Sequence, residues 1–258
     1  TDHSLEVLRA EEGGKVVVLA AEKNGGYGAG NNLGIRYAAS KGMRYALIAN
    51  PDAEFTVFCL CALVEALRTH PALAVVAPVQ INSSHGGAAK VPGSRANVLS
   101  GAAAFPLRRW LPDLLEAGPV ARRIFTPLLH YPRAKYEQTL ARVDCVPGSL
   151  LLVEVERFLR AGGYDERVFL YEEEYILGQR MRRIGAETGL LTTEHYLHRH
   201  AVSIGKSYRR ALDRQRLREE AMRYYFVNYL HCNRLQRALT ELYFAVIRLE
   251  IYLTGGGR

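Results

Sequence analysis

KVVVLAAEKNGGYGAGNNLGIRYAASKGMRYALIANPD, running from Lys15 to Asp52, is the stretch that decides the fold. Lys15–Ala21 is a short, β-branched apolar run between Gly13-Gly14 and Lys23-Asn24-Gly25, the pattern of a buried strand. A glycine-rich turn, Gly25 to Asn32, follows. It leads into a helix over Leu33–Ser40 with Asn31 or Asn32 as its N-cap. Tyr45–Ala49 is a second buried strand, stopped by Asn50-Pro51-Asp52. Further along, Leu60–Arg68 reads as a helix ended by Pro71. Leu73–Val79 reads as a strand that Pro78 confines to Leu73–Ala77. Strands alternating with helices predict an α/β layer fold, with a Rossmann-like, mostly parallel sheet flanked by helices.

Residues 82–140 are punctuated by Pro92, Pro106, Pro112, Pro119, Pro127 and Pro132 and read as loop and short helix, facing a substrate. Val143–Val153 is a strand broken at Pro147-Gly148-Ser149. A helix over Glu154–Ala161, a turn at Gly162–Glu166, a helix from Glu172 to Arg183 and a strand at Thr193–Leu197 follow. Ser207 to Thr254 contains no Gly or Pro, so one or two long helices close the sequence.

The charge is uneven. The 258 residues carry 34 Lys+Arg against 26 Asp+Glu, a net +8. Residues 1–177 hold 19 of each sign; residues 178–258 hold 15 basic and 7 acidic. An excess confined to one segment argues against a nucleic-acid-binding surface spread over the protein. Arg209, Arg210, Arg214, Arg216, Arg218 and Arg223 interleave with Leu212, Leu217, Met222, Tyr225, Phe226, Tyr229 and Leu230. Two readings stay open: a helix lying on an anionic membrane surface, or a packed helix with a solvated basic face. The division expected is 1–205 for an α/β body and 206–258 for the basic helical tail. The longest apolar run of the tail, Leu242 to Ile247, is far short of the ~18 residues that span a bilayer. Cys59, Cys61, Cys145 and Cys232 lack the spacing of a metal or redox motif and are expected as reduced core thiols of a cytoplasmic protein.

Four groups are candidates for chemistry. The Gly25–Asn32 turn lets a backbone approach a phosphate at a helix N-terminus, or is a plain tight turn. As a dinucleotide fingerprint it fails: after Gly26 and Gly28 the third glycine, Gly30, comes one residue early. Asp52 stands just past the end of a buried strand, where open α/β sheets bind ligands and where a carboxylate reaches a phosphate-bridging Mg²⁺ or Mn²⁺; a strand-ending turn has the same sequence. Glu172-Glu173-Glu174 opens a helix behind Phe169-Leu170-Tyr171. Apolar neighbours raise a carboxylate's proton affinity, as a general base needs; a solvated acidic helix start is the other reading. His198 and His200, two apart on a strand, share a face and suit a metal or diphosphate contact, or are structural.

Taken in order, Asn24-Gly-Gly-Tyr-Gly-Ala-Gly-Asn-Asn-Leu-Gly34, Asn50-Pro-Asp52, Val146-Pro-Gly148, Gly163-Tyr-Asp-Glu166 and Phe169-Leu-Tyr-Glu-Glu-Glu174 resemble glycosyltransferase family 2, and most of all its rhamnosyltransferase-like bacterial members. The resemblance runs from about Thr1 to His200. It implies a GT-A fold acting on a nucleotide-sugar donor. The acceptor would be a glycan or a lipid-linked saccharide, with inversion at the anomeric carbon. It places Asp52 and His200 at a divalent metal, Mg²⁺ or Mn²⁺. Asn24, Gly28, Gly30, Asn31 and Asn50 fall at the donor, Gly148 and Ser149 at the floor of the sugar site. Glu174 takes the base position, with Glu173 as the alternative. Ile176 departs from a position where the family often has Asp. Thr1-Asp2-His3-Ser4 resembles the end of an acidic turn that closes the family's first βαβ unit. A βαβ unit needs about 30 residues or more, so roughly 40 residues are expected in front. A non-catalytic sugar-binding module and a nucleotidyltransferase are the rival expectations.

Overall fold

The computed structural model describes residues 3–82, 104–107, 109–125, 131–199 and 210–253. The chain order is α1 (Ser4–Ala10), α2 (Gly26–Ser40), β1 (Tyr45–Ala49), β2 (Ala53–Glu54), α3 (Val57–Thr69), β3 (Leu73–Asn82), α4 (Trp110–Ala117), α5 (Pro119–Phe125), β4 (Leu140–Val143), β5 (Leu150–Glu154), α6 (Val155–Arg160), α7 (Glu173–Arg183), β6 (Glu187–His198), α8 (Ala211–Asn228) and α9 (Arg234–Leu253).

Period-two alternation builds the layers. On β5, Leu151 and Val153 point to one core with Ile35 of α2, Phe158 of α6 and Met181 of α7. Leu152 points the other way, toward Cys59, Leu63 and Leu67 of α3. The sheet is therefore covered on both faces, as the α/β pattern predicts. Its strand order is β1-β5-β3-β6-β2, with β4 also on β6. The expected parallel pairing holds for the longest ladder, β3 with β6, from Leu73↔Glu187 to Asn82↔His198. The other pairings among the described residues are antiparallel: β1–β5, β3–β5, β4–β6 and β2–β6. β5 enters the sheet from the Gly148-Ser149 end, between β1 and β3, and runs against both, while β2 and β4 run against β6.

Three local expectations change. Lys15–Ala21 is not a strand. Only Gly13 and Val16 exchange backbone bonds, and Val16, Val17 and Leu19 are exposed. An apolar run becomes a strand only where a neighbour offers a ladder, and no described strand lies beside this one. Helix α2 begins at Gly26, not Leu33, with Gly25 at its cap. The asparagines lie inside it: Asn31 Nδ2 donates to Tyr27 O at 2.9 Å, and Asn32 Nδ2 donates to Tyr164 O at 2.9 Å. Strand β3 passes through Pro78 to Asn82 because a register shift between Pro78 and Val79 absorbs the missing N–H.

The tail packs on the body. Met222, Tyr225, Phe226 and Tyr229 share a core with Leu114 of α4 and Ile176 of α7. The aromatic residues of the basic helix thus face protein. Buried Glu219 pairs with Arg223 at 3.3 Å and with Arg248 of α9, fixing α8 against α9. No helix of the described residues is long and apolar enough to cross a membrane. All four cysteines are free thiols; Cys59, Cys145 and Cys232 are buried, but Cys61 is exposed, because two residues along α3 from Cys59 it faces away from the sheet.

Candidate active site

The site forms where β3 and β6 end together. Leaving β1, Asn50 donates its N–H to Ser149 O at 2.8 Å, so the Asn50-Pro51-Asp52 turn is pinned to the start of β5. Pairing of Ala53 with His198, and of Arg199 N–H with Asp52 O at 3.0 Å, then sets Asp52 beside the end of β6. His198 Nε2 lies 3.2 Å from Asp52 Oδ1, with the imidazole buried and the carboxylate part-open. His200 lies outside the described residues. His198, the other half of the histidine pair, meets Asp52 instead.

Beneath this pair is a buried hydroxyl–amide cluster drawn from three strands or their ends. Ser149 Oγ donates to Gln80 Oε1 at 3.0 Å, Tyr196 OH donates to the same oxygen at 2.7 Å, and the two hydroxyls lie 2.5 Å apart. The Ser149 hydroxyl is thereby fixed in place beneath the pair. Burial, above all, pushes the Tyr196 phenol up, so it remains a neutral donor.

The opposite wall is the start of α7. Tyr171 and Glu172 adopt left-handed backbone angles in succession, φ 73° and 64°. Such conformations cost about 1–3 kcal/mol each in a non-glycine residue and persist where surrounding packing holds them. The resulting sharp turn delivers Glu173 and Glu174 to the cavity. Gly148 N–H donates to Glu174 Oε1 at 3.1 Å, and Tyr27 OH donates to Gly148 O. A Cβ at Gly148 would lie 3.1 Å from both Glu174 Oε1 and Tyr27 OH, so a larger residue would push both side chains back by a few tenths of an ångström.

Burial raises both carboxyls; ionisation of Glu174 raises Glu173 further. The two groups therefore divide the work electrostatically. Glu174, half-buried and held by the Gly148 N–H, ionises first. Glu173, buried beside it, keeps its proton longer.

These parts line one cavity of about 400 Å³: Asn50, Gln80, Gly148, Ser149, Glu173, Glu174 and His198 among them, with Tyr27 and with Arg218 of α8. The expected residues Asn50, Gly148, Ser149, Glu173 and Glu174 are brought together, and Asp52 joins them through His198. Asn24, Gly28, Gly30 and Asn31 are not on this wall. Asn24 Oδ1 accepts the Gly26 N–H at 3.1 Å, and Gly28 packs so closely on Tyr164 that a Cβ would lie 2.8 Å away. Gly26 has φ 87° and a Cβ there would strike Phe169 O at 2.1 Å, so the glycine turn docks α2 onto the segment before α7. Gln80, Tyr196, Tyr27 and Arg218 were not singled out as site residues. Tyr196 and His198 sit two apart on β6, a period-two signal that sequence does carry.

Among the described residues no three His, Cys, Asp or Glu side chains converge as a metal cluster. Asp52 with His198 still fits a phosphate-bridging cation, because such an ion takes one or two protein ligands and completes its shell with substrate oxygens and water.

The α/β layer fold, with helices on both faces of a central sheet, is that of GT-A glycosyltransferases. Residues 1–116 match the family model described as glycosyl transferase family 2. The chain is 27% identical over 169 residues to the N-acetylglucosaminyl-diphospho-decaprenol L-rhamnosyltransferase of Mycobacterium tuberculosis, in the CDC 1551 / Oshkosh strain and equally in the ATCC 25618 / H37Rv strain. That alignment covers 63% of this chain and 49% of the relative, so the chain aligns with about half the length of the curated relatives it matches. The fold is shared with the crystal structure of GalNAc-T7 with UDP, GalNAc and Mn²⁺: TM-score 0.51, 14% identity, covering 72% of this chain and 32% of that one.

Proposed function

We propose that this cavity transfers a sugar from a nucleoside-diphosphate donor to a hydroxyl of a glycan or lipid-linked saccharide, with inversion at the anomeric carbon. The observation that carries the reading is the convergence of Glu173, Glu174 and His198 on one cavity at the strand ends, with Asp52 held against His198 behind its wall. The similarity to an L-rhamnosyltransferase named for a diphospho-decaprenol-linked N-acetylglucosamine supports a deoxyhexose donor and an acceptor carried on a polyprenyl diphosphate.

The Glu174 carboxylate takes the proton of the acceptor hydroxyl as that oxygen bonds to the anomeric carbon. The bond from that carbon to the diphosphate oxygen breaks, and the nucleoside diphosphate leaves as an anion. Glu173, still protonated, spares the cavity a second negative charge beside the first. Asp52 and His198 would hold a Mg²⁺ or Mn²⁺, whose chemistry is to offset charge on the departing diphosphate. Arg218, the one Lys or Arg among the described lining residues, adds a fixed positive charge toward the same anion. Ser149 and Gln80, held in place by Tyr196 behind them, orient the sugar.

Direct displacement has a stereochemical readout. The product is expected to carry the anomeric configuration opposite to that of the donor, read from the anomeric coupling constant by proton NMR. Retention would exclude a single displacement with Glu174 as base.

A further inference from the structure

The glycine-rich turn does not reach the cavity with Gly28 or Gly30, but it delivers one side chain there. Gly26 turns the chain at φ 87°, and Tyr27, the next residue of α2, donates its N–H to Phe169 O at 3.1 Å. The Tyr27 ring packs edge-on against buried Tyr164, with centroids 5.5 Å apart and planes at 74°. Tyr164 packs in the same way on Phe158, at 5.4 Å and 72°. Backbone and ring are both held, and together they aim the phenol along the cavity wall at Gly148 O.

Gly148 is clamped from two sides. Its carbonyl accepts from Tyr27 OH, and its N–H donates to Glu174 Oε1 at 3.1 Å. Its neighbours are fixed by other means. Pro147 has a set φ. Ser149 is held through its hydroxyl, which donates to Gln80, and through its carbonyl, which accepts the Asn50 N–H at 2.8 Å. Gly148 has no side chain to restrict its backbone, so the Tyr27 hydroxyl supplies the restraint.

We propose that Tyr27 is a positioning residue for the general base: its hydroxyl holds Gly148 so that the Gly148 N–H stays on Glu174 Oε1. The role as stated rests on the reading of Glu174 as base. A backbone N–H donated to a carboxylate favours the ionised form, here against the burial that raises the group. The clamp therefore sets the pH at which the base becomes available. The titratable groups around Glu174 are Glu173 on its own helix, Tyr27 of α2, Tyr164 before α7 and Tyr196 of β6. Glu172, Glu116 of α4, His198 of β6 and Arg218 of α8 line the same cavity. Burial keeps the three phenols neutral. Glu173 is the group that titrates together with Glu174, so the test removes it.

Tyr27→Phe keeps the ring and its packing and deletes the hydroxyl. Combined with Glu173→Gln, it should raise the pH at which Glu174 ionises, relative to Glu173→Gln alone, by about one unit, a ten-fold tighter proton. Difference infrared spectroscopy reads this from the protonated-carboxyl band, assigned by its loss in Glu174→Gln. If Glu173→Gln does not fold, the first ionisation of the pair in Tyr27→Phe alone should carry the same shift. In the transfer assay, Tyr27→Phe should lose about ten-fold in kcat on the acid limb and recover at high pH, with KM for donor and acceptor unchanged. A Glu174 titration that does not move, or a kcat lowered equally at every pH, would overturn the proposal. The infrared readout needs no substrate. A shifted titration in a chain that transfers no sugar upholds the control of Glu174 by Tyr27 and counts against the sugar-transfer reading instead.

Discussion

Glu174→Gln is expected to lower kcat for sugar transfer by about 10²–10⁴-fold, the range a positioned general base supplies. The amide keeps the size of the side chain but cannot take the acceptor's proton. Its electrostatic signature should accompany the loss. In the wild type, rate rises with pH as Glu174 ionises. Because burial raises that carboxyl, the acid limb should lie above the ~4.3 of an ordinary glutamate.

Stability should move the other way. A carboxyl whose folded-state pKa is raised leaves the folded state holding more protons than the unfolded chain between the two values, so stability falls as pH rises through that window. The glutamine variant has no such group. It should therefore be at least as stable as the wild type at pH 8 by thermal unfolding, while nearly inactive in a coupled nucleoside-diphosphate assay. Wild-type activity in the variant would remove Glu174 from the chemistry. A variant that lost activity by unfolding would show a lowered melting temperature instead.

Asp165→Ala carries the largest expected effect on stability. Asp165 is buried between the Gly162-Gly163 turn, α7 and α8. Its carboxylate accepts from Tyr229 OH at 2.7 Å and Tyr224 OH at 2.9 Å, pairs with Arg167 at 3.0 Å, and lies 3.1 Å from Arg180 Nη2. Burial alone would raise this carboxyl, but hydrogen bonds from Arg167, Tyr229 and Tyr224 outweigh it and hold the group well below the usual carboxylate range. Removing it leaves Arg180, only 15% exposed, without its carboxylate partner, and takes the acceptor from two phenols at the seam between body and tail.

Breaking a buried pair from one side costs about 3–5 kcal/mol. In a protein of this size that corresponds to a drop on the order of 10 °C in melting temperature, measurable by circular dichroism. A change of a degree or two would show that the network is not what holds α8 to the body. The wild-type contribution has a defined pH dependence. It is fully present above the unfolded-state value near 3.9 and is lost as pH falls through the folded-state value, because there the unfolded chain binds the extra proton.

Particular residues show how far the sequence could be read. Tyr45–Ala49 is a strand with the expected bounds because Pro51, lacking an N–H, stops the ladder. Glu173 and Glu174 were legible as buried carboxylates from Phe169-Leu170-Tyr171 ahead of them. Lys15–Ala21 has the composition of a strand, but composition does not say whether a neighbour exists to pair with it. The Ser149–Gln80–Tyr196 cluster joins residues separated by 69 and 47 positions, so it exists only through the register of β3 and β6. Arg218 reads as one arginine of a basic helix until packing turns it to the cavity. The clustered charge at the end of the chain is thus partly internal: Arg223 and Arg248 neutralise Glu219, and Arg218 faces the site.

The central claim is that one cavity, with Asp52 at the leaving group and Glu174 at the nucleophile, performs sugar transfer. It is tested most directly by measuring acceptor-dependent release of nucleoside diphosphate across a panel of nucleotide sugars, with polyprenyl-diphosphate saccharides as acceptors, for the wild type and Asp52→Ala. The expected result is release with at least one donor–acceptor pair that falls by about 10²-fold or more in Asp52→Ala. Release at the wild-type rate in Asp52→Ala would contradict the claim.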